Sequence, residues 1–294
     1  MAKKRLILAQ LGTPATPKVS DVRAFLAKFL GNPRVVGLPR LLWQLFLRLF
    51  LLPFYAPKSA KLYQRLWDGE MFLSKRKTFD LTAKLKARLQ NTHEIINFYS
   101  CSKKIKGQTV LDSYEALILF PQYCESTHGV LKEELDQNFK NVKIYSSFHL
   151  EEFYLMSCAQ RIDEGLAQAR AQGIWIQKLV LSFHNMPLKQ IRIWDDPYLS
   201  QCQETYKALK LRVKEIESRD VHIAFQSRFG KGRWAKPETR EMILELINKG
   251  DKQIAVFCPG FLVDGIETVD EIGLRLKEEV ETLGGQLVFI PCLN

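Results

Sequence analysis

Residues 178–187 read KLVLSFHNMP. A short apolar run leads into a histidine, and a turn closed by Pro187 follows. A run of this length bounded by turn residues marks a strand buried on both faces, as in a parallel sheet. Comparable runs occupy residues 5–11, 94–99, 116–120, 142–145, 221–226, 253–257 and 286–290. Amphipathic helices lie between several of them. Val22, Phe25, Leu26, Phe29 and Leu30 form one stripe behind Ser20, the expected cap. Ile272, Leu276, Val280 and Leu283 form another, ended by Gly284-Gly285. This alternation predicts an α/β protein with parallel sheets flanked by helices, in two similar Rossmann- or flavodoxin-like halves. The division falls near residue 146, giving halves 1–145 and 146–294. Neither a sequence repeat nor a low-complexity linker joins them.

With 294 residues, 46% hydrophobic and 26% charged, the composition is that of a globular chain and excludes a disordered one. The 43 Lys and Arg against 32 Asp and Glu leave a formal charge of +11, which favours an acidic partner. Nucleic acid is not expected, since no zinc finger, RNA-recognition signature or dense basic helix is present. Six cysteines, Cys101, Cys124, Cys158, Cys202, Cys258 and Cys292, are scattered without a close pair. That spacing argues against an iron–sulfur cluster and for reduced thiols in the cytoplasm. The start, MAKKRLILAQLG, lacks the long apolar stretch of a signal peptide. Residues 41–56, LLWQLFLRLFLLPFYA, are very apolar yet shorter than the ~20 residues a spanning helix needs. They read either as a buried helix or as an exposed apolar lip that touches a membrane or covers a hydrophobic ligand.

In such folds ligands bind beyond the carboxyl ends of the strands. Those ends carry GTP (12–14), PQYCEST (121–127), HNMP (184–187), SRFGKGRW (227–234) and CPGFLVDGIETVDE (258–271). His184, at a strand mouth, can take a proton near neutral pH, although a solvent-facing structural histidine is the competing reading. Glu267 opens the helix after residues 253–257, and Glu271 stands one turn on, on the same face. Carboxylates there suit a helix amino terminus, and they also suit proton acceptance and transient binding of a dication.

SFHNMP, FQSRFGKGRWAKPET, CPGFLVDGIETVDEIG and the closing IPCLN resemble, in order, the signatures of the ferrochelatase family. LGTP, FLGNPRVVGLPRLLW, PKSAKLYQRLW and FPQYCEST fit the same family, so the resemblance runs over the whole chain. It implies the class II chelatase fold, two similar halves with a porphyrin cleft between them. It also implies insertion of ferrous iron into a porphyrin dicarboxylate in haem biosynthesis, with Fe²⁺ as substrate, no required cofactor, and haem as a bound product or ligand. His184 and Glu267 match the family's catalytic pair, which takes up the pyrrole protons or guides the metal. Glu271, with Asp270 beside it, continues the acidic path. Lys58, Tyr63, Tyr99 and Trp234 match positions around the macrocycle. The apolar segment, about 34–57, matches a lip that meets an anionic membrane surface.

The sequence departs from the family pattern at four places. Phe98 is read where an arginine commonly precedes the tyrosine matched by Tyr99, so stacking on the macrocycle would replace an ion pair. The turn at 68–72 reads DGEMF. Gly265 stands where histidine or cysteine is usual, and relatives are expected to continue past the residue matching Asn294. A non-catalytic or weakly catalytic haem- or porphyrin-binding homologue is the alternative these departures leave open.

Overall fold

The computed structural model describes residues 3–36, 39–100 and 113–294; Gly37, Leu38 and Cys101 lie outside the described residues. The chain forms two compact units, Met1–Ser147 (joined by Asn294) and Phe148–Leu293. In the first, β1 (Lys4–Gln10), β2 (His93–Tyr99), β3 (Tyr114–Ile118) and β4 (Val142–Tyr145) make a sheet of order β2-β1-β3-β4. In the second, β5 (Lys178–His184), β6 (Val221–Gln226), β7 (Gln253–Phe257) and β8 (Gln286–Ile290) repeat that order as β6-β5-β7-β8. All pairings are parallel; Ile7 lies between Ile96 and Ala116, and Val180 between His222 and Val256. The α/β class read from the sequence is the one observed. The identical strand order of the two sheets has no counterpart in sequence similarity.

Helices supply the flanking layers. In the first unit they are α1 (Val19–Leu30), α2 (Arg40–Phe46), α3 (Leu52–Arg65), α4 (Leu73–Leu89) and α5 (Val130–Asn138). The second unit carries α6 (Glu152–Ala171), α7 (Leu188–Trp194), α8 (Tyr198–Arg212), α9 (Thr239–Asn248) and α10 (Lys277–Thr282). Five consecutive residues of β5, Leu179 to Phe183, are buried, as a central strand covered on both faces requires. The core beside it joins Val180, Ala224, Ile254 and Val256 to Ile243 and Ile247 of α9 and Val280 of α10. Each such Val or Ile side chain contributes about 1.5–3 kcal/mol by leaving water.

Two local expectations change. The first helix begins at Val19 behind an extended Lys18 with no side-chain cap, so Ser20 falls inside its first turn. Asp21, rather than Ser20, is tied to the preceding chain, accepting from Thr16 Oγ1 at 2.6 Å. The segment expected as one α-helix ending at Gly284 is a π-helix over Ile266–Leu276 that continues into α10. Its i→i+5 bonds leave residues four and five apart flanking one another, so Glu267 and Glu271 stay neighbours. Gly273 meets Phe289 on the helix's inner side, where a Cβ would lie 3.1 Å from the ring.

Candidate active site

In each sheet the chain crosses back over its first strand, so the strand order reverses between β1 and β3 and between β5 and β7. Such switch points open a crevice at the carboxyl ends of the strands. In the second unit, β5 ends on His184, and β7 leads through residues 258–265 into the π-helix that carries Glu267.

His184 is half-buried, and its Nδ1 lies 2.7 Å from the Asn185 carbonyl oxygen. A carbonyl only accepts, so Nδ1 carries a hydrogen, and of the two neutral tautomers this bond selects the one with its lone pair on Nε2. Tyr198 donates to the His184 carbonyl at 3.0 Å, and the Phe261 ring stands 6.5 Å away at 64°. Burial pushes the Glu267 carboxyl above its ordinary range; the nearby His184 ring and backbone hydrogen bonding pull it down, and Glu271 pushes it up. Glu271 is held differently. Its two oxygens accept from Ser227, the backbone N–H at 2.8 Å and the hydroxyl at 2.6 Å. Ser227 adopts φ +65°, a left-handed conformation uncommon for serine, and that turn aims both donors at one carboxylate.

Gln226 anchors the first π turn. Its Nε2 donates to the Glu267 carbonyl at 2.5 Å, and its Oε1 accepts from Ser182 Oγ at 2.5 Å and from Cys258 Sγ at 3.3 Å. Asp270 points elsewhere: it is buried and accepts from Arg275 Nε at 2.7 Å, so the expected acidic row is Glu267 and Glu271 without it. Among the described residues no three His, Cys, Asp or Glu side chains are arranged as a metal cage. His184, Glu267 and Glu271, the residues expected to meet the metal, do not form such a group. Trp234 is half-buried and bridges Pro187 in antiparallel fashion, with its indole Nε1 buried and lacking a hydrogen-bond partner.

The residues expected in the first unit fare unequally. Tyr63 of α3 is half-buried between Phe25 (6.4 Å) and Phe72 (5.3 Å), and Lys58 of the same helix is exposed. Tyr99 ends β2 half-buried; burial pushes its phenol up to about 12, opposed by the Thr78 hydroxyl of α4. Phe98 is 2% exposed and packs with Tyr114, Leu135 and Phe139 in the core beside the sheet. A side chain enclosed there has no face left for stacking on a macrocycle. The apolar segment divides by face along α2, a π-helical stretch Leu47–Leu51 and α3. Leu47, Leu52 and Ala56 are buried against α1, whereas Leu41 (87% exposed), Leu42, Leu45, Leu49, Phe50 and Phe54 face outward. The segment is therefore buried along one face and exposed along the other. No helix among the described residues is long and apolar enough to cross a membrane.

The ferrochelatase family profile matches residues 3–294. This chain belongs to the ferrochelatase family. It is similar to the ferrochelatase of Aeromonas hydrophila, 34% identical over 99% of this chain and 94% of that protein. The ferrochelatase of Nitrosococcus oceani is 34% identical, and that of Herminiimonas arsenicoxydans 32%, each over all of this chain and 83% of the relative. For a ferrochelatase chain, the residues that sequence reasoning missed are Gln226, Ser227 and Asn185, which hydrogen-bond to Glu267, Glu271 and His184. Gln226 and Ser227 lie inside a stretch whose family resemblance was legible, but their partners stand 41 and 44 residues away. Nothing local signals such contacts.

Proposed function

We propose that this chain inserts Fe²⁺ into a porphyrin dicarboxylate in haem biosynthesis, with His184 and Glu267 as the groups that receive protons or pass the metal. The reaction exchanges two pyrrole N–H protons for one dication, so the site needs bases that work near neutral pH. The observation that carries the reading is the Nδ1–H bond of His184 to a carbonyl, which leaves Nε2 as an open base beside Glu267. A carboxyl raised above its ordinary range is a better match to neutral pH than an ordinary glutamate. Glu271, fixed by Ser227, supplies a nearby anion that favours approach of the cation.

Porphyrin contact is assigned to Trp234, Tyr63, Tyr99 and Lys58, with Phe98 left out because it is enclosed in the core. Half-exposed aromatic rings and an exposed ammonium suit a flat macrocycle bearing carboxylates. The outward apolar residues of α2 and α3, flanked by exposed Arg40, Arg48 and Lys58, support peripheral attachment to an anionic membrane. Among the described residues, Cys124, Cys158, Cys202, Cys258 and Cys292 are buried and outside any disulfide, which supports residence in the reducing cytoplasm.

The test is anaerobic Fe²⁺ insertion into protoporphyrin and coproporphyrin, followed by optical absorption. His184→Ala should lower the rate by ~10²-fold or more while the melting temperature holds. An unchanged rate would remove His184 from the chemistry.

A further inference from the structure

The turn after β5 is built around a polar side chain with no exposed surface. Asn185 is 0% exposed. Its Oδ1 accepts from the N–H of Met186 at 2.9 Å and from that of Ala235 at 3.0 Å. Its Nδ2 donates to the Ala235 carbonyl at 3.1 Å. Both backbone polar groups of Ala235, itself buried, are thus satisfied by one amide. The adjoining chain follows the same seam, with Leu188 N–H donating to the Arg233 carbonyl at 2.9 Å and Pro187 bridging Trp234.

These bonds would suffice for a purely structural role, since a buried amide left unsatisfied costs about 1–3 kcal/mol. The backbone of Asn185 adds a second function. Its N–H donates to Gln226 at 2.7 Å, and its carbonyl oxygen lies 2.7 Å from His184 Nδ1. Peptide groups are planar and rigid, so the side-chain clamp and the Gln226 bond together limit where that carbonyl can point.

We propose that Asn185 is a positioning residue: by pinning the 184–187 turn to Ala235 it aims its own carbonyl at His184, fixing the ring with the proton on Nδ1 and Nε2 open. The inference rests on the reading of His184 as a proton acceptor, but its physical content, a fixed tautomer, is separable from turnover. Partners of this kind commonly alter activity about 10- to 100-fold when removed, through orientation rather than contact with substrate.

The experiment is ¹⁵N NMR of the histidine rings in the full chain, with His184 assigned through His184→Ala. Asn185→Ala and Asn185→Ser are then compared, the serine retaining an acceptor for the Met186 N–H. The unsubstituted protein should show His184 in the Nδ1–H form. Asn185→Ala should give a tautomer mixture, a shifted pH–rate profile and an insertion rate lower by about 10- to 100-fold, with porphyrin KM within about twofold. The serine variant should fall between, and it carries the test alone if the alanine variant does not fold. An unaltered tautomer and pH profile in a folded variant overturns the proposal, even if the melting temperature falls. If His184→Ala leaves insertion intact while the tautomer still answers to Asn185, the proton-acceptor reading fails and the positioning role stands.

Discussion

At Glu267, burial works against the charge that its proposed role would use. In an unfolded chain a glutamate titrates near 4.3. Burial raises its folded value, with His184 only partly offsetting the shift. Between those two values the folded state holds a proton that the unfolded state has released, so stability falls as pH rises. The contribution is fully present below about pH 4 and is lost as the pH climbs through the folded value. Glu267→Gln removes the ionisation and keeps the shape. The variant should melt higher than the unsubstituted protein at pH 7.5, and the gap should close as the pH approaches 4, while insertion activity drops. A gain of about 1 kcal/mol would appear as about 2–4 °C. A lower melting temperature at pH 7.5 would mean that His184 outweighs burial and that the carboxylate is net stabilised. His128 shows the opposite use of a buried titratable group. Its ring is buried, its Nδ1 accepts from Cys124 N–H at 3.3 Å, and burial pushes it down to about 3. It stays neutral at physiological pH and acts as packing.

At the scale of the element, β2 shows how the facing of one strand residue decides a functional assignment. Successive strand side chains point to opposite faces. Asn97 accepts from Thr82 of α4 at 2.7 Å, and Tyr99 lies toward Thr78 of the same helix. Phe98 therefore faces the other way, into the core with Phe139 at 5.8 Å. The sequence pattern suggested that an arginine at 98 would restore a propionate anchor; the strand's geometry predicts damage instead. Phe98→Arg should cost on the order of 3–5 kcal/mol, the price of an uncompensated buried charge, read as a lower urea midpoint. A stable Phe98→Arg protein would show that the strand can turn this side chain outward. The eight strands themselves were legible because apolar runs bounded by turn residues have few alternatives in an alternating α/β chain. His184 was legible because it closes such a run, and Glu267 because it opens the helix that follows the run of β7. The facing of Phe98 was not, since both faces of β2 are covered and hydrophobicity does not distinguish them. The π geometry was also hidden: its buried row Thr268, Ile272 and Leu276 keeps the spacing of four that an α-helix would show. Each unit nonetheless uses a π-helical stretch after the strand beyond its switch point, Glu125–Gly129 following β3 and Ile266–Leu276 following β7. Wide turns of this kind recur at functional sites.

At the scale of the molecule, the proposed attachment to an anionic surface rests on a net charge of +11 and an outward apolar band. Leu41, Leu42, Leu45, Leu49, Phe50 and Phe54 are all exposed along α2, the π stretch and α3. Exposure of so many large apolar side chains on adjoining turns is costly in water and is characteristic of interaction surfaces. Exposed Arg40, Arg48, Lys58 and Lys61 lie along the same stretch of chain. Cations near an anionic headgroup layer contribute about 1 kcal/mol each at low salt, and this attraction is screened within a Debye length. Reversible binding should therefore need both terms. The chain should co-sediment with vesicles containing phosphatidylserine at low ionic strength and be released by high salt. Vesicles of neutral lipid should retain less of it. Leu45→Glu and Phe50→Glu should weaken sedimentation without lowering the melting temperature, because both side chains face outward. Leu47→Glu cannot serve as the probe, since Leu47 is 0% exposed and packs against α1, so its loss would unsettle the fold. If the unsubstituted chain stays in the supernatant with anionic vesicles at low salt, the band does not serve a membrane. In that case Leu45→Glu and Phe50→Glu should instead weaken porphyrin binding, which a titration of the Soret absorption would detect.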